Sequence, residues 1–196
     1  MKITHTPLIP EVIVFEPEVH GDTRGFFVES FRDTWFAEAG LAVTFVQDNH
    51  SRSRRHTLRG LHWQDAHPQG KLVRVTHGAV LDVAVDIRRG SPTFGAWVSR
   101  VLDDKTHHQL WIPPGFAHGF LVLSDEADFC YRCTDYYDPR GQCGIRFDDP
   151  RLGIAWPLDA QEPILSEKDR NLPFVDDLPA TALPTIPHVA LQKAAS

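Results

Sequence analysis

The sequence predicts an all-β fold, a jelly-roll barrel or sandwich with short accessory helices, and three observations point to it. Short β-rich runs recur along the chain, Gly, Pro and Asp turn residues separate them, and helical signal is confined to two brief stretches.

The runs, in order, are VIVFEP (12–17), GFFVESF (25–31), VTFVQDNHS (43–51), TLRGLHW (57–63), KLVRVTHG (71–78), AVLDVAVDI (79–87), GAWVSRVL (95–102), HQLWIP (108–113), HGFLVL (118–123) and DFCYRCTDYY (128–137). Each is rich in β-branched and aromatic residues, which suit a pleated, half-buried surface. A first helix is expected over Asp33 to Ala39, with Asp33 as N-cap and Gly40 closing it, and a short second piece near Ser166. The stretch 175–196 is rich in Pro and Ala and lacks a strong period, so it is read as a tail draped on the barrel or loose, carrying no chemistry. At 196 residues, with no solenoid repeat and no shift in composition, one domain is expected over 1–196, its core about 6–174.

Composition narrows the function classes. A hydrophobic share of 42% and a charged share of 23% are those of a folded globule. The N-terminal residues show no basic stretch followed by an apolar block, and no run of 18 apolar residues occurs, so a cytoplasmic protein without a membrane partner is expected. Cys130, Cys133 and Cys143 are too few for a disulfide scaffold. The C-x-x-C sits in a strand pattern that turns its two thiols to opposite faces, so core or surface cysteines are expected rather than a zinc knuckle. The formal net charge is −6, yet Arg52, Arg54, Arg55 and Arg59 cluster within SRSRRHTLR. A local basic cluster in an acidic chain suits a small anionic ligand better than nucleic acid; a solvated loop is an equal reading for Arg52, Arg54 and Arg55.

Alternation along strands places polar residues on shared faces. Gln47, Asn49 and Ser51 fall together, opposite Val46 and Asp48. Phe129, Tyr131, Cys133, Asp135 and Tyr137 share a face, as do Phe116, His118, Phe120 and Val122. Asp82 and Asp86 oppose Leu81, Val83, Val85 and Ile87. A barrel lined this way is a ligand pocket; polar faces turned to solvent are the default alternative. His62 and His118 lie in aromatic settings; with Asp82, Asp169 and Lys71 they read either as a proton-transfer site or as purely structural residues. A metal on an H-x-H pair would need a second imidazole where Gln64 stands; two histidines and one carboxylate could still ligate zinc or iron, so a metal-dependent enzyme stays the lesser alternative to the expected site with no metal and no cofactor.

Ordered motifs then carry a resemblance. DTRGFFVE (22–29), FVQDNHS (45–51), LRGLHWQ (58–64), GKLVRV (70–75), DVAVDIR (82–88), SPTFG (91–95), PPGFAHGF (113–120) and SEKD (166–169) together resemble the cupin-like dTDP-4-dehydrorhamnose 3,5-epimerases. The resemblance implies a cupin-type jelly roll acting without a cofactor on a dTDP-linked 4-keto-6-deoxy sugar, inverting C3 and C5 on the way to dTDP-L-rhamnose. His62 resembles the family's base, Asp169 the carboxylate orienting it, Tyr131 the acid on the opposite face and Lys71 the stabiliser of the enolate. Arg59 resembles a diphosphate ligand, and Gln47, Asn49 and Tyr137 resemble contacts along the nucleotide. His118, Lys71 and Lys168 complete the substrate set. Arg24, Phe27, which would stack on thymine, and Glu29 are implied to come from the neighbouring subunit of a homodimer. Trp63, where relatives commonly carry another aromatic, is a mild departure. Enzymes inverting only C3 or only C5 use much the same groups and stay open as alternatives. Strict alternation sets Arg59 opposite His62, and a bulge at Gly60 is needed to bring both into one pocket.

Overall fold

The structure, a computed structural model, describes residues 1–186. Its strands are β1 (Lys2–His5), β2 (Ile13–Glu16), β3 (Val19–Asp22), β4 (Gly25–Val28), β5 (Gln47–Arg54), β6 (Leu58–Gln64), β7 (Lys71–His77), β8 (Ala79–Asp86), β9 (Trp97–Asp103), β10 (Gln109–Ile112), β11 (Phe116–Val122), β12 (Glu126–Cys133) and β13 (Gln142–Gly144). The helices are α1 (Thr34–Glu38) and α2 (Glu167–Arg170). Six strands pair in the order β1-β2-β10-β7-β12-β5, five in the order β13-β6-β11-β8-β9, and β3 and β4 form a separate hairpin. Every strand pairing is antiparallel, and the two large sheets make the jelly roll.

Apolar side chains from both sheets meet between them: Val73, Val75, Leu110 and Phe129 from one, Val80, Ala84, Phe120 and Val122 from the other. The outer faces are covered too. Trp35 and Phe36 of α1 pack with Ile13, Phe15, Leu72 and Trp111 on the back of the six-stranded sheet. On the back of the five-stranded sheet, Ile145, Leu152 and Val175 cover Leu61, Val83, Val85 and Ile87. This double burial is why Ile13–Phe15 of β2 and Leu110–Ile112 of β10 are unbroken apolar runs. Each large side chain so buried contributes about 1.5–3 kcal/mol.

Asp33 accepts a hydrogen bond from the Thr34 N–H at 2.8 Å, and Gly40 follows α1 at φ +73°, as the sequence predicts. Three expectations are corrected. The strand expected from Val43 starts at Gln47, because Phe45 instead joins Phe31, Phe36 and Trp111 in an aromatic cluster. The strand expected to reach Tyr137 ends at Cys133, where the Thr134 hydroxyl accepts from the Gly70 N–H and the chain turns. Asp135 thereby leaves the shared face, and its carbonyl accepts from Gln69. Strands β1, β3 and β13 were not expected; they are short and polar, with too few residues to show a period.

The solvent-facing alternative for the polar strand residues fails for Asp82 and His118, whose side chains are 0% and 7% exposed. Asp86 is buried as well, but it ties down the turn after β8 through Arg88, Ser91 and Thr93. The first part of the tail is draped on the barrel: Val175 is buried and the Arg89 N–H donates to the Pro184 carbonyl at 2.7 Å. The rest of the expected tail, 187–196, lies outside the described residues. Among the described residues, no helix is long and apolar enough to cross a membrane.

Candidate active site

The pocket forms where β6 breaks its own alternation. His62 pairs with His118 and Arg59 with Phe120, so three steps on β6 match two on β11. Gly60, inside this bulge, has φ +128°, and a Cβ there would meet the His118 carbonyl at 2.8 Å. Only glycine fits such a conformation and approach. The extra residue turns Arg59 and His62 to the same side, and both line a cavity of about 520 Å³ in the barrel. The Arg59 Nε donates to Ser53 at 3.1 Å.

His62 Nε2 lies 2.6 Å from Asp169 Oδ1. Asp169 is delivered by α2, whose N-cap Ser166 accepts from the Asp169 N–H at 3.0 Å. Burial pushes the Asp169 carboxyl up, but the hydrogen bond and charge of His62, with donors from Ser166 and Gly60, hold it below its ordinary value. An ionised Asp169 accepts a hydrogen bond from Nε2–H of the ring, which leaves Nδ1 with the lone pair. A second pair stands beside the first: His118 Nε2 lies 2.9 Å from Asp82 Oδ2. Burial lowers the His118 pKa, and Lys71 and His62 add to this against the pull of Asp82.

Lys71, at the start of β7, has its pKa lowered by burial, while Cys133 and Asp82 pull it back up. Among the described residues its ammonium makes no hydrogen bond, although it lines the cavity. Tyr131 on β12 also lines the cavity, and burial pushes its phenol up. At the mouth, Gln142 Oε1 accepts from both the Tyr137 hydroxyl and the Lys168 ammonium at 2.7 Å.

The structure therefore gathers His62, Asp169, Lys71, Tyr131, Arg59, His118, Tyr137 and Lys168 around one cavity. Gln47 and Asn49 are not among the residues lining it: Gln47 accepts from the Tyr137 N–H at 2.9 Å and donates to Asn49. Arg24, Phe27 and Glu29 are not brought to this cavity. They sit on or just after the β3–β4 hairpin, where Arg24 pairs with Asp22, Glu29 pairs with Arg32, and Phe27 is 69% exposed. Of the clustered arginines only Arg59 enters, while Arg52 pairs with Asp128 on the outer face. Sequence reasoning missed Gln69 and Gln142. Adjacency to the GK motif is a signal for Gln69, whereas nothing in the sequence around Gln142 marks it. Among the described residues no three His, Cys, Asp or Glu side chains converge as metal ligands.

The arrangement offers an imidazole held by a carboxylate, an ammonium and a phenol around one space, the parts needed to move a proton on and off carbon beside a carbonyl. Comparison with known proteins agrees with that chemistry. Residues 6–177 match the sequence model of dTDP-4-dehydrorhamnose 3,5-epimerase. The chain is 59% identical to the dTDP-4-dehydrorhamnose 3,5-epimerase of Pseudomonas aeruginosa over 172 residues, 87% of this chain and 94% of that one. It is 55% identical to the Escherichia coli enzyme of the same name, over 87% and 92% of the two chains. Among solved structures, a dTDP-6-deoxy-D-glucose-3,5-epimerase from Legionella pneumophila in complex with dTDP-4-keto-L-rhamnose superposes with a TM-score of 0.91 at 50% identity, covering 94% of this chain and 98% of that one. A 3'-monoepimerase from Streptomyces bikiniensis in complex with dTDP-quinovose gives 0.86 at 37% identity, covering 93% of each.

Proposed function

The chain belongs to the dTDP-4-dehydrorhamnose 3,5-epimerase family and is an enzyme of that kind in dTDP-rhamnose biosynthesis, and we propose that His62 is its base. The substrate is dTDP-4-dehydro-6-deoxy-D-glucose, whose C3 and C5 hydrogens flank the ketone. His62 Nδ1 removes one of these protons, and the C–H electron pair moves into the ring to leave an enolate oxygen. An imidazole is too weak a base for an ordinary ketone, so the enolate needs a preorganised partner contributing on the order of 3 kcal/mol. The Lys71 ammonium supplies it. Tyr131 returns a proton from the opposite face, inverting the carbon. Exchange of His62 and Tyr131 with water then resets both groups.

Arg59 binds the diphosphate through its planar fork. Gln47, Asn49 and Tyr137 run along the nucleotide, and His118 and Lys168 hold the sugar end. Arg24, Phe27 and Glu29 serve the site of a partner subunit in a homodimer; their hairpin is exposed and outside its own chain's cavity, which supports this assignment. The chain acts as one domain in the cytoplasm, and it needs no metal or cofactor.

The observation that carries this reading is the 2.6 Å contact between His62 and Asp169 beside a Lys71 ammonium without a hydrogen bond among the described residues. Incubation with dTDP-4-keto-6-deoxyglucose in deuterated water should place deuterium at C3 and C5. No deuterium at either carbon overturns it. The likeness to a 3'-monoepimerase favours, as second reading, inversion at a single carbon, which the same experiment reports as label at one position.

A further inference from the structure

The mechanism above leaves unused the buried carboxyl that touches a cavity-lining histidine. Asp82 on β8 is 0% exposed, and a carboxylate is costly in such a place unless its charge is answered. Only one of its oxygens has a partner among the described residues: Oδ2 meets His118 Nε2, while Oδ1 is buried without one. The His118 ring is further pinned by Phe129, stacked with centroids 6.0 Å apart and planes 24° from parallel. Its other nitrogen, Nδ1, makes no hydrogen bond within the described residues, and the side chain lines the cavity.

These facts fix the ring chemically. An ionised carboxylate only accepts, so Nε2 must carry the proton it receives. Burial, with the Lys71 ammonium nearby, disfavours the imidazolium, so His118 is neutral and Nδ1 holds a lone pair. We propose that Asp82 is a positioning residue for the epimerisation: it locks His118 in the Nε2–H tautomer, so that Nδ1 accepts a hydrogen bond from a ring hydroxyl of the sugar. Lys71 is then the donor for the ketone oxygen, and the two contacts together set which face of the ring His62 meets. This inference rests on the reading that the cavity takes a keto-sugar.

The experiment combines a spectrum and a double-mutant cycle. In the wild type, nitrogen-15 NMR of the imidazoles should show His118 protonated at Nε2 and bare at Nδ1 near neutral pH; the opposite tautomer or an imidazolium overturns the proposal, and this readout needs no variant to fold. Asp82→Asn keeps the shape but lets the amide donate or accept, freeing the tautomer, and should lower kcat/KM by about tenfold or more with mixed tautomers in the spectrum. In a His118→Ala background the same change should cost little further. If it costs as much there as in the wild type, Asp82 does not act through His118 and the proposal fails. Deuterium exchange by the wild type separates the two levels: an active wild type with an additive cycle sinks only this inference, whereas an inactive wild type sinks the reading beneath it.

Discussion

A Cβ atom on Gly60 would lie 2.6 Å from the Cα of Gly119, so β6 and β11 approach more closely at this pair than any side chain permits. Gly119 is equally constrained, since a Cβ there would lie 2.6 Å from the Arg59 carbonyl. Two glycines facing each other across the bulge thus let one strand present both the Arg59 guanidinium and the His62 imidazole to one cavity.

Gly60→Ala is expected to destabilise the fold by about 2–4 kcal/mol, combining backbone strain at positive φ with overpacking against β11. Chemical denaturation measures it. A change within about 0.5 kcal/mol, the size of an ordinary surface substitution, would show that the bulge is not needed.

His62→Ala should abolish exchange at both carbons. Asp169→Asn should keep the ring in place but lose its tautomer, lowering kcat on the order of 10²–10⁴. The same carboxylate couples stability to pH. Its folded pKa lies below the ordinary 3.8, so its contribution is complete above that value and is lost as pH falls through the lower folded one. The stability gap between wild type and Asp169→Asn should therefore be widest near neutrality and close below about pH 4.

Tyr131→Phe should slow product formation on the order of 10²–10⁴ while proton removal is impaired less. Comparing deuterium wash-in to recovered substrate with turnover to product separates the steps. Equal loss in both would remove Tyr131 from the role of acid.

Lys71→Met should lower kcat by about 10², the rate equivalent of roughly 3 kcal/mol of lost enolate stabilisation. Burial sets the Lys71 pKa below 10.5, so the ammonium is lost as pH rises through that lower value. The wild-type rate should decline on an alkaline limb below pH 10.5, and the limb should vanish in the variant.

Mixing Arg24→Ala protein with His62→Ala protein tests the shared site. If the hairpin serves a partner, heterodimers regain one intact site, and random pairing restores about a quarter of wild-type sites. No recovery after exchange of subunits would place Arg24 in its own chain's function.

Much of this was legible in the chain. The helix over Thr34–Glu38 announced itself through Asp33 and Gly40, because caps are local chemistry. Period-2 alternation grouped His118 with Phe120 and set Asp82 apart from Val83, because a strand's pleat is fixed by its own backbone. It broke down at Cys133, where the pairing of Gly70 with Thr134 ends the strand, and at Gln142, whose role at the mouth depends on Tyr137 and Lys168 arriving from separate segments.

By itself the sequence determined the strand-rich class, the two short helices and the identity of the ionisable groups, since these follow from residue type and neighbours along the chain. Tertiary structure alone decided that Asp169, 107 positions from His62, meets its imidazole, and that Arg59 turns inward. It also decided that Asp82 is sealed against His118 rather than wetted. The reason is physical: burial and pairing depend on what the opposite sheet brings, and no local pattern encodes a partner that distant.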